Sequence, residues 1–227
     1  MSVKLRDTHY RHAQLFIAFV LTVFPVTSWA EGVGKVILTQ GHPIVEREGQ
    51  HLLLKRNDAL FIKDTLITST DSKVLFRLKD RSTISLAENT LFTLTQYDYK
   101  EGSEKSISRF NMLKGAFRTL TGKIGKQKEP NFEIHTPVAT IGVRGTEFWG
   151  GFIFSDSLDV TMLKGKGVYI TNEHGTVEIS KPGEGTMVSE GQAPSPISVW
   201  SQKKLKAAEA ATSLRTGSTP SFFDSSY

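Results

Sequence analysis

One stretch of the sequence, TPVATIGVRGTEF at residues 136–148, combines opposite charges with glycines in an apolar setting. Arg144 lies between Gly142 and Gly145. A buried guanidinium must be paired and hydrogen-bonded, because an unpaired buried charge is very costly. We therefore predict that Arg144 is a structural arginine at the edge of a buried region, held by backbone carbonyls and a carboxylate. The candidate carboxylates are Glu133, Glu147 and Asp156.

The same stretch predicts an interior strand. Pro137 favours an extended backbone at the residue before it, and apolar residues then occupy both alternating sets of positions up to Val143. This pattern is typical of a central strand that is covered on both faces. The glycines leave room for a bulge or for a close approach of another backbone. The predicted structural motif comprises Thr136, Pro137, Gly142, Arg144, Gly145, Thr146 and Glu147.

Catalytic and metal-binding patterns are absent from the sequence. Neither a Gly-x-Ser-x-Gly elbow nor a His-Glu-x-x-His motif occurs, and there is no cysteine. The histidines at 42, 51, 135 and 174 lack metal-ligand spacing. Gly142–Gly145 matches a GXXG nucleic-acid loop, but that loop joins two helices, and here strand-like sequence flanks it. We expect no enzymatic activity, no metal or other cofactor, and no nucleic-acid partner.

Four aromatic residues are candidates for stacking on a sugar ring: Tyr97, Tyr99, Trp149 and Trp200. Two charged loops, 100–105 and 123–130, contain several lysines and suit an acidic polymer. Packing in the core is the competing interpretation of the aromatics, and it is the stronger one for Trp149.

The elements that must position these residues are mostly short strands. SKVLFRLKD alternates, with Val74, Phe76 and Leu78 on one face, and strand-and-turn units recur every 8 to 12 residues. The segments LKGAFRTLTG and LKGKGVYITN both begin with Leu-Lys-Gly and continue into an apolar strand, which suggests that similar turns stack at two levels of the structure. We predict an all-β fold resembling a β-solenoid or β-roll, with a two-sheet β-sandwich as the alternative. Helix formers at 202–213 predict a short C-terminal helix.

The first residues have the layout of a secretory signal peptide. Basic residues precede the 12-residue apolar run Leu15–Val26, and small residues stand at Ser28 and Ala30. The run is shorter than a membrane span. We predict cleavage after Ala30, a periplasmic location and no integral span in the mature chain. The predicted organisation is a signal peptide at 1–30, a β domain at 31–198, and a short helix with a flexible tail at 199–227.

Four segments together resemble the FecR domain family: GKVILTQG, DTLITSTDSKVLFRLKDRSTISLAENT, MLKGAFRTLTGKI and TPVATIGVRGTEF. The likeness runs from about Val33 to Gly175, and the last segment is its most specific part. The resemblance implies an all-β, periplasmic, non-enzymatic domain, whose relatives sense an occupied outer-membrane receptor and control a cytoplasmic sigma factor.

The sequence departs from those relatives in two ways. Only 14 residues precede the apolar run, so we do not expect an anti-sigma segment or a transmembrane relay. The family's Asp-Gly-Ser turn reads Asp80-Arg81-Ser82, and a common glycine is replaced at Asn57. Since arginine accepts a positive φ less readily than glycine, we expect a different turn type at Arg81.

Two functions are compatible with the sequence. The first is an interaction or signalling-accessory module that offers strand edges to an envelope protein. The alternative is binding of peptidoglycan or another polysaccharide through the four aromatic residues.

Overall fold

The computed structural model describes residues 31–214, which form sixteen strands, one 3-10 turn and one α-helix. The predicted signal peptide and the end of the predicted tail lie outside the described residues. Within residues 31–214, no helix is long and apolar enough to cross a membrane.

The strands are short in the first half of the domain and long in the second half. The first eight are β1 (Gly34–Gln40), β2 (Ile44–Arg47), β3 (Gln50–Leu53), β4 (Ala59–Leu60), β5 (Thr65–Ile67), β6 (Lys73–Leu78), β7 (Thr83–Leu86) and β8 (Leu91–Asp98). The next eight are β9 (Ile107–Lys114), β10 (Ala116–Leu120), β11 (Phe132–His135), β12 (Thr140–Gly151), β13 (Leu158–Asn172), β14 (Gly175–Ile179), β15 (Glu184–Val188) and β16 (Ser198–Val199). The 3-10 turn is Ile124–Lys126, and helix α1 is Gln202–Thr212.

All these strands belong to one curled sheet. Its path runs β3-β2-β5-β8-β9-β11-β12-β10-β7-β6-β1-β4, and β13 branches from β12 to carry the last three strands. The all-β prediction is confirmed. Neither a clear solenoid or roll nor a two-sheet sandwich is present. Among the described pairs only β9 with β11 is parallel, whereas coils stacked in one direction would pair their strands in parallel.

The sheet curls around one main core. The predicted alternation is confirmed in β6 and β7, because Val74, Phe76, Leu78, Ile84 and Leu86 all lie in that core. A fully buried phenylalanine contributes roughly 1.5–3 kcal/mol relative to an exposed one. Ring contacts run through this core, and two of them, Phe76 with Phe92 and Phe92 with Phe117, join strands that are not neighbours in the sheet.

Helix α1 covers a second, smaller core on the outer face of the sheet. Its prediction is confirmed, and the Ser201 hydroxyl caps it by accepting a hydrogen bond from the Lys204 amide at 3.2 Å. The second core contains Trp149, Trp200 and Ala208 with other buried alanines. The Lys204 ammonium anchors the helix by an ion pair with the buried Asp159 at 2.6 Å.

The turn at Asp80-Arg81-Ser82 differs from the prediction. Arg81 has a φ of 73° and Asn57 a φ of 74°, so both residues adopt the left-handed conformation that the replaced glycines would have favoured. Asp80 fixes the turn, since its carboxylate accepts hydrogen bonds from the Ser82 amide at 3.0 Å and the Ser82 hydroxyl at 2.7 Å. Local hydrogen bonds of this kind offset the strain of a positive φ in a non-glycine residue.

The two echoed Leu-Lys-Gly segments end in glycines with positive φ, Gly115 at 90° and Gly165 at 126°. Gly115 separates β9 from β10, while Gly165 lies within β13. The shared Leu-Lys-Gly sequence therefore marks a glycine with positive φ in two different structural contexts.

Candidate functional site

A free strand edge lies at one end of the sheet. Strand β3 pairs with β2 alone among the described strands, and all four of its residues are exposed. The β2–β3 hairpin is closed by Glu48 and Gly49, with φ values of 51° and 76°. Two positive φ values in a two-residue loop are the signature of a type I′ turn, whose twist matches that of the flanking strands.

The hairpin geometry decides which backbone groups face outward. Residues beside a two-residue turn form a hydrogen-bonded pair, and such pairs alternate with non-hydrogen-bonded ones. The Leu54 amide donates to the Pro43 carbonyl at 2.9 Å, so these two residues form a hydrogen-bonded pair, as this alternation requires. The backbone N–H and C=O groups of His51 and Leu53 therefore point to the free edge. An added strand could pair with them.

An apolar groove of about 360 Å³ runs beside this edge. Leu52 and Leu53 are exposed hydrophobic residues at 42% and 47% of their full accessibility. We call the feature the edge groove; it is lined by Val45, Arg47, Leu52, Leu53, Leu54, Lys55, Asp58, Ala59 and Phe61.

An ion pair between Arg47 and Asp64 holds the hairpin in place. The Asp64 carboxylate is fully buried and accepts two hydrogen bonds from the Arg47 guanidinium, each at 2.7 Å. It also accepts one from the Phe61 amide at 2.8 Å. Arg47 donates to the Ala59 carbonyl at 3.0 Å and lies 4.4 Å from the centre of the Phe61 ring. The hydrogen bond to Asp64 raises the pKa of Arg47. One arginine thus ties the hairpin to β4 and to the turn before β5.

The structure contradicts the predicted burial of Arg144. Arg144 is exposed, and within residues 31–214 its guanidinium forms no ion pair; it lies 5.4 Å from the centre of the Tyr169 ring. Its predicted partner Glu147 is buried and pairs with Arg118 at 2.5 Å. Burial raises the pKa of the Glu147 carboxyl, and Arg118 opposes that shift.

The remaining motif residues lie in a turn and along β12. Thr136 accepts the Ala139 amide through its hydroxyl at 3.1 Å, so Pro137 lies in the turn before β12 and not in an interior strand. Gly142 has open space beside it, which excludes the predicted close approach there. Gly145 has a φ of 57°. Thr146 is buried and donates through its hydroxyl to the Gly167 carbonyl at 2.8 Å.

Coverage of β12 on both faces occurs later than predicted. Residues 140–144 alternate between buried and more exposed positions, whereas residues 145–151 are all buried. The second core covers the outer face of this later part at Trp149. The prediction placed the doubly covered part a few residues too early.

The four aromatic candidates do not form a stacking platform. Trp149 is fully buried and Trp200 is 6% exposed, and their rings meet edge to face at 6.1 Å in the second core. Tyr97 packs against the main core, and its hydroxyl accepts the Asp80 amide at 2.7 Å. Tyr99 donates to Glu101 at 2.5 Å. The core interpretation of Trp149 is confirmed, and the platform prediction is wrong for both tryptophans.

The two charged loops contact each other. Gln127 joins them, since its side-chain amide donates to the Ser106 carbonyl at 2.8 Å and accepts the Ser106 amide at 3.0 Å. Lys123 pairs with Glu101. Residues 31–214 hold no group of three or more histidines and carboxylates that could bind a metal ion.

Sequence reasoning missed the Arg47–Asp64 and Arg118–Glu147 pairs. Their partners are 17 and 29 residues apart, and no motif spacing marks them. The only sequence signal is the charged Arg47 at the end of the alternating strand β2, which does not point to Asp64.

Comparison with known proteins places this site in context. The family model described as FecR protein matches residues 64–167. No curated protein gives a significant match. Two crystal structures of a protein from Parabacteroides distasonis ATCC 8503 are similar to this chain. The protein is provisionally assigned as an anti-sigma factor, and its sequence is 16% identical to this chain in each structure. The first match has a TM-score of 0.49 and covers 63% of this chain and 63% of the solved chain. The second has a TM-score of 0.50 and covers 63% of this chain and 62% of the solved chain. This chain therefore spans less than two thirds of either structure, and the likeness concerns the fold alone. Residues 64–167 of this chain are a FecR domain.

Proposed function

We propose that this chain is a non-enzymatic FecR-domain protein of the periplasm that binds an envelope protein and acts as an accessory in signalling. The observation that carries the binding proposal is the free edge of β3 beside the apolar edge groove. The signalling part rests on the FecR family match and on the provisional anti-sigma assignment of the structural neighbour with a TM-score of 0.50.

Strand addition is the mode of binding that this geometry favours. Main-chain hydrogen bonds to His51 and Leu53 would supply affinity, and alternate side chains of the partner would enter the groove. The Arg47–Asp64 ion pair keeps the hairpin in a fixed position before binding. Preorganisation of this kind reduces the entropic cost of association.

Site-specific photocrosslinking in cells tests the binding proposal. A photoreactive amino acid at Leu53 is expected to capture a defined protein, whereas the same label at Leu113 on β9, which is 59% exposed, is expected to capture none. His51→Pro removes an outward N–H without removing a β2–β3 hydrogen bond, so it should abolish the Leu53 crosslink and leave the unfolding midpoint unchanged. Equal crosslinking at Leu113, or a Leu53 crosslink that survives His51→Pro, would refute strand addition.

Cell fractionation with N-terminal sequencing tests the location. The proposal expects periplasmic protein that starts at Glu31. Full-length protein in the inner membrane would contradict it.

A further inference from the structure

Four exposed cations from three chain segments lie around Gly145 and Gly165, just before the β-bulge that shifts the β12–β13 register between Glu147 and Phe148. Arg144 and Gly167 are register partners, as are Thr146 and Gly165, so Gly145 and Lys166 face each other between these pairs. Lys164 is the register partner of Glu147.

The loop after β10 brings a fourth cation to the same place. A Cβ atom on Gly145 would lie 3.7 Å from the Lys126 side chain and 3.7 Å from the Gly125 carbonyl. The 3-10 turn Ile124–Lys126 therefore lies against Gly145. We name Lys126, Arg144, Lys164 and Lys166 the cationic cluster; all four side chains are exposed.

Nearby carboxylates offset only part of this charge. Glu147 is buried, pairs with Arg118 and also interacts with Lys164, and Glu209 lies near it. Glu178 interacts with Tyr169, and its carboxylate lies 3.2 Å from the position of a Cβ atom on Gly167, the register partner of Arg144. Neither Arg144 nor Lys166 forms an ion pair within residues 31–214. The four cluster cations and Arg118 outnumber the three carboxylates of Glu147, Glu178 and Glu209, which gives a local excess of positive charge at an exposed surface.

We propose that the cationic cluster binds the surface of an anionic phospholipid membrane. Three of its members are lysines. A lysine carries a compact charge on a flexible side chain, so it can follow mobile lipid headgroups, whereas it lacks the rigid geometry that selects a single carboxylate ligand. Arg144 adds a planar guanidinium over an aromatic ring, an amphipathic combination suited to an interface. The attraction is electrostatic, so it acts within a Debye length of the lipid surface.

The test is co-sedimentation of the purified protein with vesicles of phosphatidylcholine, with and without phosphatidylglycerol. Binding is expected only to the anionic vesicles and should be lost near 1 M salt, where the Debye length is about 3 Å. Each basic residue near an anionic surface contributes about five-fold to partitioning. Arg144→Gln with Lys166→Gln should therefore weaken binding roughly 30-fold, without shifting the unfolding midpoint.

Lys35→Gln with Lys63→Gln provides the matched control. Both lysines are exposed, and they lie on β1 and just before β5, each four strands from β12 along the sheet, so the variant loses the same net charge away from the cluster. It should bind anionic vesicles within about two-fold of the parent, because the surface potential of a lipid leaflet acts over only about a Debye length. Absence of binding to anionic vesicles, or an equal loss in both double variants, would overturn the proposal. It would also be overturned if the cluster variant lost the Leu53 protein crosslink and kept vesicle binding, since the cations would then serve a protein partner.

Discussion

Replacing Asp64 by alanine is expected to destabilise the domain strongly. Asp64 is fully buried, and its carboxylate accepts three hydrogen bonds, two from Arg47 and one from the Phe61 amide. The variant removes the carboxylate that hydrogen-bonds Arg47, leaving only the more distant charges of Asp58 and Glu48 among the groups that act on its pKa, and it also frees the Phe61 amide.

The magnitude follows from the burial of the pair. Breaking a buried ion pair by removing one partner costs about 3–5 kcal/mol. The Arg47 side chain is 29% exposed, so its guanidinium can recover some hydration, and the lower part of this range applies. We expect a loss of about 3 kcal/mol, a large share of a typical stability of roughly 5–15 kcal/mol. At about 2–4 °C per kcal/mol for a domain of this size, Tm should fall by about 6–12 °C.

Urea unfolding followed by tryptophan fluorescence measures this loss, because Trp149 and Trp200 are buried and will report their exposure to water. Glu46→Ala is the matched control: Glu46 lies next to Arg47, its side chain is half exposed, and its charged contact within residues 31–214 is the exposed His51 at 3.8 Å. It should change stability by less than about 0.5 kcal/mol. Arg144→Ala, which the sequence alone would place among the costly changes, should lose no more than about 1 kcal/mol. A loss below about 1 kcal/mol for Asp64→Ala would refute the role of the ion pair.

Three further predictions concern other parts of the sheet. Burial raises the pKa of Glu147, so the folded state holds this proton more tightly than the unfolded state; the contribution of Glu147 to the unfolding free energy should be largest below the unfolded pKa of about 4.3 and be lost as pH rises through the raised pKa. Glu147→Gln should flatten that part of a stability-against-pH curve, and an unchanged slope would exclude Glu147 as its source. Gly165→Ala should lower Tm, because its φ is 126° and a Cβ atom would lie 2.6 Å from the backbone of β12, whereas Gly142→Ala meets open space and should be neutral; equal midpoints would contradict this. Lys204→Met leaves the buried Asp159 without its ion-pair partner and should speed amide hydrogen exchange in α1, as measured by mass spectrometry; unchanged exchange there would show that the pair does not hold the helix.

The sequence was informative where the deciding interactions are local. Alternation of apolar and polar residues identified β6 and β7, because successive side chains of a strand point to opposite faces. A run of helix formers after Trp200 identified α1. The order of four motifs identified the FecR family, which the match at residues 64–167 confirms.

The sequence misjudged positions whose environment depends on distant segments. The apolar stretch around Arg144 predicts burial. Alternation along a strand does not show where other residues begin to cover its outer face, and on β12 that cover begins at Gly145. Trp200 was considered for ligand stacking, and it packs against Trp149, which lies 51 residues earlier in the chain. The predicted solenoid failed for a related reason, since strand patterns do not state which strands pair or in which direction.

The sequence by itself determined that this protein is all-β, carries a FecR domain and has a short C-terminal helix, because strand periodicity, helix propensity and motif order are properties of neighbouring residues. Only the tertiary structure decided which arginines are structural and which edge is open. Arg47 finds Asp64 and Arg118 finds Glu147 because the curled sheet brings these strands together. Arg144 and the β3 edge remain exposed because no described element packs over them.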